Sequence, residues 1–225
     1  MMKKCAFLLL VSFALVFFTG CGGSSRKFVD PAWFAPPSSI TILATEPFVD
    51  NESDVLDDFG SFKSFRLWYV SYLERAFNQY FAATPYVRSV SDEDVEPKLV
   101  NWDGKDMKIP YFKRDKLDSL SGLVVTIDSL RFWRDVEPNA RQNWVGKPRL
   151  NATLFYSIFS IEDDRLLAYG NARVDDTFAF AMDRVNWENV LDRVVQRVVD
   201  FTPLDNGRKT EKLGVNSRVI EGHYN

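Results

Sequence analysis

Two segments of the chain repeat apolar residues at helical spacing. From Phe65, apolar or aromatic side chains recur at offsets of 3, 4, 7, 8, 11, 12 and 15 residues, with mostly polar residues between them. From Trp187, the offsets 3, 4, 7, 8, 11 and 12 are again apolar. This period is typical of amphipathic helices that bury one face. The sequence therefore predicts helices over about 62–82 and 186–201, the second beginning after Asn186 as its N-cap.

Other segments alternate apolar with polar residues or are dense in β-branched side chains, as strands are. They span residues 39–45, 86–90, 122–135, 149–161 and 166–178. Because a strand, a helix and a strand come first, we expect a right-handed crossover between parallel strands there. The last three strands should form an antiparallel meander.

Local features refine these strands. The apolar phase shifts near Asp128 and Ser129, which predicts a bulge. Gly170, in the middle of the last strand, indicates a bulge or the close approach of another element. The fourth strand places one apolar set on a common face, namely Leu150, Ala152, Leu154, Tyr156 and Ile158.

Together these elements predict an α+β fold. A mixed, mainly antiparallel sheet is covered by two amphipathic helices in a single domain over residues 39–204. Residues 91–121 lack a clear period and resemble an insertion, with Asp103 and Gly104 as a plausible hairpin turn. Residues 205–225 are polar and predict a disordered tail.

The first residues have the features of a targeting signal. Two lysines precede an apolar run over 5–18, which is short for a membrane span. The run ends in Phe18, Thr19, Gly20 and Cys21, which resembles the processing box of bacterial lipoproteins. This resemblance implies a signal peptide over 1–20, cleavage before Cys21, and acylation of that cysteine. An uncleaved anchor and an ordinary secretory signal are the alternatives.

The segment that follows is rich in glycine, serine and proline. Residues 21–38 therefore predict a lipidated cysteine and a flexible linker that tethers the domain to a membrane. Phe28, Trp33 and Phe34 are unusual in a free linker, and they could dock on the domain or on a partner.

Composition narrows the function classes. The 225 residues carry a net charge of −3, which argues against a nucleic-acid partner. Removal of the signal peptide and acylation of Cys21 would leave no free thiol, and the single histidine lies in the tail. Patterns for a nucleophile elbow, a zinc site, a phosphate loop and a dinucleotide fold are absent from the sequence. We therefore expect a non-enzymatic protein with no cofactor and no metal.

One acidic cluster has some features of a calcium-binding loop. Five carboxylates crowd the segment after the first strand, but its sixth and twelfth positions are Val55 and Ser61. Calcium loops need glycine and glutamate there, so we expect a solvated loop that caps the next helix. The carboxylates are Asp50, Glu52, Asp54, Asp57 and Asp58.

The order of elements resembles a known group of proteins. It is similar to the small envelope lipoproteins with the fold of the TolB N-terminal domain, which include auxiliary lipoproteins of ABC-type lipid transport, the curli-secretion lipoprotein CsgG and GNA-type lipoproteins. The resemblance implies scaffold work at the periplasmic face of the outer membrane, through envelope protein partners or a homo-oligomer. The residues that carry it are Ile40–Thr45, Phe65–Phe81, Tyr86–Val90, the strands from Leu123 to Phe178, and Trp187–Phe201.

A candidate binding surface surrounds the loop between the third and fourth of these strands. Aromatic residues and arginines dominate binding hot spots, and this segment is rich in both. A packed loop with solvated charges is the alternative interpretation. The candidate residues are Trp133, Arg134, Arg141, Trp144 and Arg149.

These observations favour a membrane-anchored periplasmic lipoprotein that serves as an accessory or scaffold in an envelope transport or assembly complex. Gly22 after the cysteine, where an aspartate would favour retention in the inner membrane, indicates the outer membrane. The alternative is a lipid- or glycan-binding module, with a channel-forming oligomer or a hydrolase less favoured.

Overall fold

The computed structural model describes residues 27–34, 39–80, 85–102, 104–113, 120–136, 146–179 and 181–204. The predicted signal peptide, Cys21 and the predicted tail lie outside the described residues. The strands are β1 (Lys27–Val29), β2 (Ile40–Thr45), β3 (Phe48–Val49), β4 (Tyr86–Val90), β5 (Val95–Trp102), β6 (Lys105–Phe112), β7 (Leu123–Val136), β8 (Pro148–Ser160) and β9 (Arg165–Thr177). The helices are α1 (Glu52–Phe59), α2 (Phe62–Asn78) and α3 (Arg184–Val199), with a 3₁₀ turn at Asp92–Asp94.

Seven strands form one mixed sheet in the order β1-β9-β8-β7-β2-β4, with β3 also paired to β7. β2 runs parallel to both β4 and β7, while β7, β8 and β9 form an antiparallel meander. The α+β fold class, the parallel pairing of the first predicted strands and the predicted meander are confirmed. The outer strand β1 joins β9 in antiparallel register.

One face of the sheet is closed by the helices. Trp187 of α3 is fully buried, and its ring lies 5.0–5.7 Å from those of Phe59, Phe65 and Phe132. The indole Nε1 also donates to the Asp58 carboxylate at 2.7 Å. The 3.6-residue period thus predicted the residues of α2 and α3 that fill this layer. We call the side of the sheet that the helices cover the helix face.

The opposite face, here called the outer face, is covered only in part. The hairpin β5–β6 packs on a small cluster formed by Leu43, Phe112, Val124 and Phe159. Ser157 of β8 donates its hydroxyl to the carbonyl of Pro110 in the hairpin. The predicted hairpin turn near Gly104 is therefore confirmed, and the insertion is a two-stranded flap on the sheet.

The acidic segment differs from the prediction of a loop. Residues Glu52–Phe59 form α1, which ends at Gly60 with a φ of 73°. Val55 and Phe59 are buried one turn apart. Glu52 and Asp57 lie on the exposed side of this short helix, whereas Asp54 is buried with them. The many carboxylates hid this period in the sequence.

The helix boundaries shift slightly. α2 ends at Asn78, earlier than predicted. In α3 the N-cap is Asp183 and not Asn186: the Asp183 carboxylate accepts from the backbone of residues 185 and 186, while the Asn186 side chain accepts from the Asp183 amide. Asn186 is thus the third residue of the helix in a reciprocal capping box.

The segment predicted as a linker contains ordered contacts with the domain. Phe28 stacks on Tyr169 at 4.9 Å, and Trp33 is only 8% exposed, whereas Phe34 is exposed. Gly170 lies between Tyr156 and Lys27 on the neighbouring strands, which fits the predicted close approach. Only five residues separate Cys21 from β1 in the sequence.

Candidate functional site

The bulge in β7 decides which side chains reach the outer face. Before it, Val125 and Ile127 point to the helix face; after it, Leu130 and Phe132 do. Ser129 adopts a φ of 53°, and the register with β8 shifts between Asp128 and Arg131. The predicted bulge is therefore confirmed.

The bulge in β7 places a row of polar and aromatic side chains on the outer face. Because side chains alternate along a strand, every second residue after the bulge now points away from the helices. The row continues across the two neighbouring strands. Its members are Arg131, Trp133 and Asp135 on β7, Arg149, Asn151, Thr153 and Phe155 on β8, and Asn171, Arg173 and Asp175 on β9.

Trp133 and Arg149 lie on this face, each with a charged neighbour. The Arg173 guanidinium lies 5.2 Å from the centroid of the Trp133 ring, a cation–π distance. Arg149 makes a two-point ion pair with Asp135, its register partner on β7. The hydrogen bonds from Arg149 hold the pKa of the Asp135 carboxyl below its usual value.

Arg134 lies apart from them. It points to the helix face, where its Nη1 donates to Asp54 Oδ1 at 2.7 Å. Its guanidinium also lies 5.6 Å from the Phe178 ring. Asp54 is almost completely buried, so Arg134 stabilises the junction of α1 with the sheet. Arg141 and Trp144 fall outside the described residues.

Sequence reasoning missed the groove between the hairpin and the outer face. It has a volume of about 830 Å³. Phe48 and Phe155 lie along it with 61% and 40% of their surfaces exposed. Pro97 and Lys108 of the hairpin form the facing wall. Two half-exposed phenylalanines in a concave surface give it an apolar floor.

Arg131 lies at the charged end of this groove. Its Nε and Nη2 donate to the two oxygens of Asp50 at 2.6 and 2.7 Å, and its guanidinium lies 5.8 Å from the Phe48 ring. These hydrogen bonds lower the pKa of Asp50. Phe48 and Arg131 are register partners on β3 and β7, a pairing that no local sequence signal reveals.

Carboxyls with raised pKa values lie elsewhere. Burial raises the pKa of Asp58, which accepts from Trp187, and that of Asp192, which accepts from the Tyr72 hydroxyl at 3.0 Å. Both support helix packing and face away from the groove. Among the described residues, no cluster of histidine, cysteine or carboxylate ligands could hold a metal ion.

Comparison with known proteins gives a limited result. No family model and no curated protein matches the chain. A PelC dodecamer from Paraburkholderia phytofirmans has a TM-score of 0.40 at 8% identity, covering 80% of this chain and 98% of that one. A Xanthomonas campestris protein of family DUF330 has a TM-score of 0.35 at 13% identity, with 78% and 90% covered.

A minor lipoprotein from Acinetobacter baumannii is also similar. Its TM-score is 0.29 at 10% identity, and the match covers 70% of this chain and 87% of that one. These likenesses to bacterial proteins, one of them a lipoprotein, are too distant to carry a functional argument. The specific resemblance to TolB-like, CsgG-like and GNA-type proteins remains a prediction. Each helix in the described ranges is too short or too polar to cross a membrane.

Proposed function

We propose that the protein is a periplasmic lipoprotein, anchored to the outer membrane through acylated Cys21. It acts as a non-enzymatic accessory or scaffold in an envelope transport or assembly complex. Its partners are then the membrane, through the lipid, and one or more envelope proteins, and self-association into a homo-oligomer belongs to the same proposal.

The observation that carries the proposal is the groove on the outer face, which exposes two phenylalanines beside one arginine. The hairpin covers one end of this face and leaves Phe48, Phe155 and Arg131 accessible beside it. An exposed apolar surface with polar edges is typical of a protein interaction site. Phenylalanine and arginine are both enriched at interfaces.

The charges of the outer face support binding more than chemistry. Arg131 is already held by Asp50, and Arg149 by Asp135, so both arginines are fixed in position by carboxylates. Such pairs orient a surface and give it electrostatic specificity.

A site-specific cross-link tests the partner surface. A photoreactive amino acid replaces Phe155 in the full chain, in native membranes, and its matched control replaces Leu67, which is 64% exposed on α2. We expect an envelope protein to be captured from position 155 and not from position 67. Equal capture from both positions contradicts the proposal, and capture of the same chain alone from 155 favours a homo-oligomer.

The anchor has its own test. Cells fed an alkyne fatty acid should label the wild-type chain, and Cys21→Ala should abolish the label and leave the precursor unprocessed. A Cys21→Ala protein that still carries the label overturns the assignment of the lipid to this cysteine.

A lipid- or glycan-binding module is the second candidate, and the shape of the groove favours it. Phe48 and Phe155 offer flat apolar faces to a sugar ring or an acyl chain. The layer between sheet and helices is filled by Trp187, Phe65 and Phe132, so a ligand cavity is not expected there. Native mass spectrometry of the purified chain should show a bound lipid or glycan if this module is the function, and an unliganded mass argues against it.

A further inference from the structure

Phe201 combines two features that are unfavourable in a soluble domain. It follows α3 by two residues with a φ of 62°, a conformation in which helices usually place glycine. Its aromatic side chain is also 85% exposed. A bulky residue with positive φ is uncommon, and such residues concentrate at functional sites.

The neighbours of Phe201 fix this conformation. The amide of Asp200 donates to the Gln196 carbonyl at 2.8 Å, and the amide of Thr202 donates to the Val199 carbonyl at 3.1 Å. Val199 and Thr202 are both buried. The chain is therefore held on both sides of Phe201, and the ring is presented outward.

Phe201 and the last turn of α3 form one corner of the domain. The N-terminal segment that leads back to Cys21 contacts the same corner. The Lys27 ammonium donates to the backbone carbonyls of Arg197, Val198 and Asp200 at the end of α3. Six chain steps from Cys21 to Lys27 span at most about 21 Å when fully extended. An acyl chain on Cys21 would therefore hold the Phe201 corner close to the bilayer surface.

A cation lies one helical turn before Phe201. Arg197 is exposed, and its guanidinium has no acceptor among the residues that the structure describes. It lines a surface groove of about 350 Å³ together with Arg173 and Arg193. Two carboxylates, Asp175 and Asp200, also line this groove, so the cationic excess is small.

We propose that this corner is a bilayer-contact site. The Phe201 ring enters the interface between headgroups and acyl chains, and the Arg197 guanidinium binds headgroup phosphates. The inference rests on the proposed acylation of Cys21 and adds to it a fixed orientation of the domain on the membrane. The outer-face groove then remains free for a protein partner.

A depth measurement on the acylated full chain tests this orientation. Processing and acylation are predicted to leave no free thiol, so Gln196→Cys, on the same corner, takes a single spin label, and Leu99→Cys on the hairpin is the matched control. The protein is reconstituted into vesicles of phosphatidylethanolamine with a minor fraction of phosphatidylglycerol. We expect the label at 196 to collide with membrane-dissolved oxygen more, and with a water-soluble nickel chelate less, than the label at 99.

Substitutions at the corner should expose the label at position 196 to water again. Adding Phe201→Ser to the labelled Gln196→Cys chain should shift the equilibrium about tenfold from the docked to the undocked domain. This is the effect of losing most of one buried aromatic side chain. Adding Arg197→Gln should weaken docking, and more strongly when phosphatidylglycerol is present than in phosphatidylethanolamine alone. Separately, Phe201→Gly in the unlabelled chain should raise the thermal midpoint, because glycine adopts the left-handed conformation freely.

The outcomes separate the two proposals. An intact mass without acyl chains overturns the anchor and the corner together. An acylated chain whose label at 196 is as water-exposed as that at 99 overturns the corner alone. A Phe201→Gly variant that is less stable than the wild type shows that the ring is needed for folding. That result overturns the inference that the positive φ at Phe201 serves membrane contact.

Discussion

The two faces of the sheet differ in the type of side chain that they carry and in how deeply those side chains are buried. On the helix face, Trp187, Phe65 and Phe132 are fully buried and in mutual ring contact. On the outer face, Phe155 is 40% exposed, and two arginines of the same face are paired with carboxylates. Buried apolar area supplies most of the folding free energy. The helix face therefore stabilises the domain, and the outer face is free to carry recognition.

The largest expected effect tests this division directly. Trp187→Ala should lower the free energy of unfolding by about 4 kcal/mol, because it opens a cavity among three aromatic rings and leaves Asp58 without its donor. Phe155→Ala should cost less than about 1 kcal/mol, since much of its ring is already in water. Urea unfolding of the two variants measures both values, and equal losses would break the comparison.

The second prediction concerns an ion pair on each face. Arg134→Ala should lower the free energy of unfolding by about 2 kcal/mol, because it leaves the Asp54 carboxylate, 5% exposed, without its cation. Arg131→Ala should have a clearly smaller effect, since its partner Asp50 is more exposed and can be solvated. Chemical denaturation of both variants checks the order, and a larger loss for Arg131→Ala contradicts it.

The third prediction distinguishes two tyrosines of α2. Among the described residues, Tyr69 has a buried hydroxyl with no hydrogen-bond partner, so Tyr69→Phe should stabilise the domain by up to about 1 kcal/mol. The Tyr72 hydroxyl donates to Asp192, and Tyr72→Phe should therefore destabilise by a similar amount. Thermal midpoints of the pair provide the measurement. A destabilised Tyr69→Phe would show that this hydroxyl has a partner.

Sequence periodicity predicted the helix face better than the outer face. The spacing from Phe65 and Trp187 anticipated the buried layer, because burial itself imposes the 3.6-residue repeat. The bulge near Ser129 was also visible, since a change of phase in a strand is local. These features depend on residues that are neighbours in the chain.

Other features could not be predicted, since they depend on distant residues. The contact of Phe48 with Arg131 joins positions more than eighty residues apart and follows from the register of β3 on β7. Likewise, β1 was hidden in a glycine- and proline-rich segment, because its pairing with β9 needs an edge that exists only in the folded sheet. Arg134 is adjacent to Trp133 in the sequence, but alternation along β7 places the two side chains on opposite faces.

The smallest expected effect is a difference in pH dependence between the faces. Asp192 has a pKa raised by burial, so the folded state binds its proton more readily than the unfolded state does. Its contribution to stability is present at low pH and is lost as the pH rises from the usual value of 3.8 through the higher folded pKa. Asp135 has a pKa lowered by Arg149, so its contribution is present above 3.8 and is lost as the pH falls through the lower folded pKa.

Two matched variants separate these opposite slopes. Asp192→Asn cannot ionise but can still accept from the Tyr72 hydroxyl, so it should remove part of the decline in stability above pH 3.8. Asp135→Asn should lower stability at neutral pH and flatten the loss below pH 3.8. Urea midpoints measured between about pH 3 and 7 give the slopes. If Asp192→Asn keeps the slope of the wild type, burial in the helix layer does not control this carboxyl, and the electrostatic contrast between the faces fails.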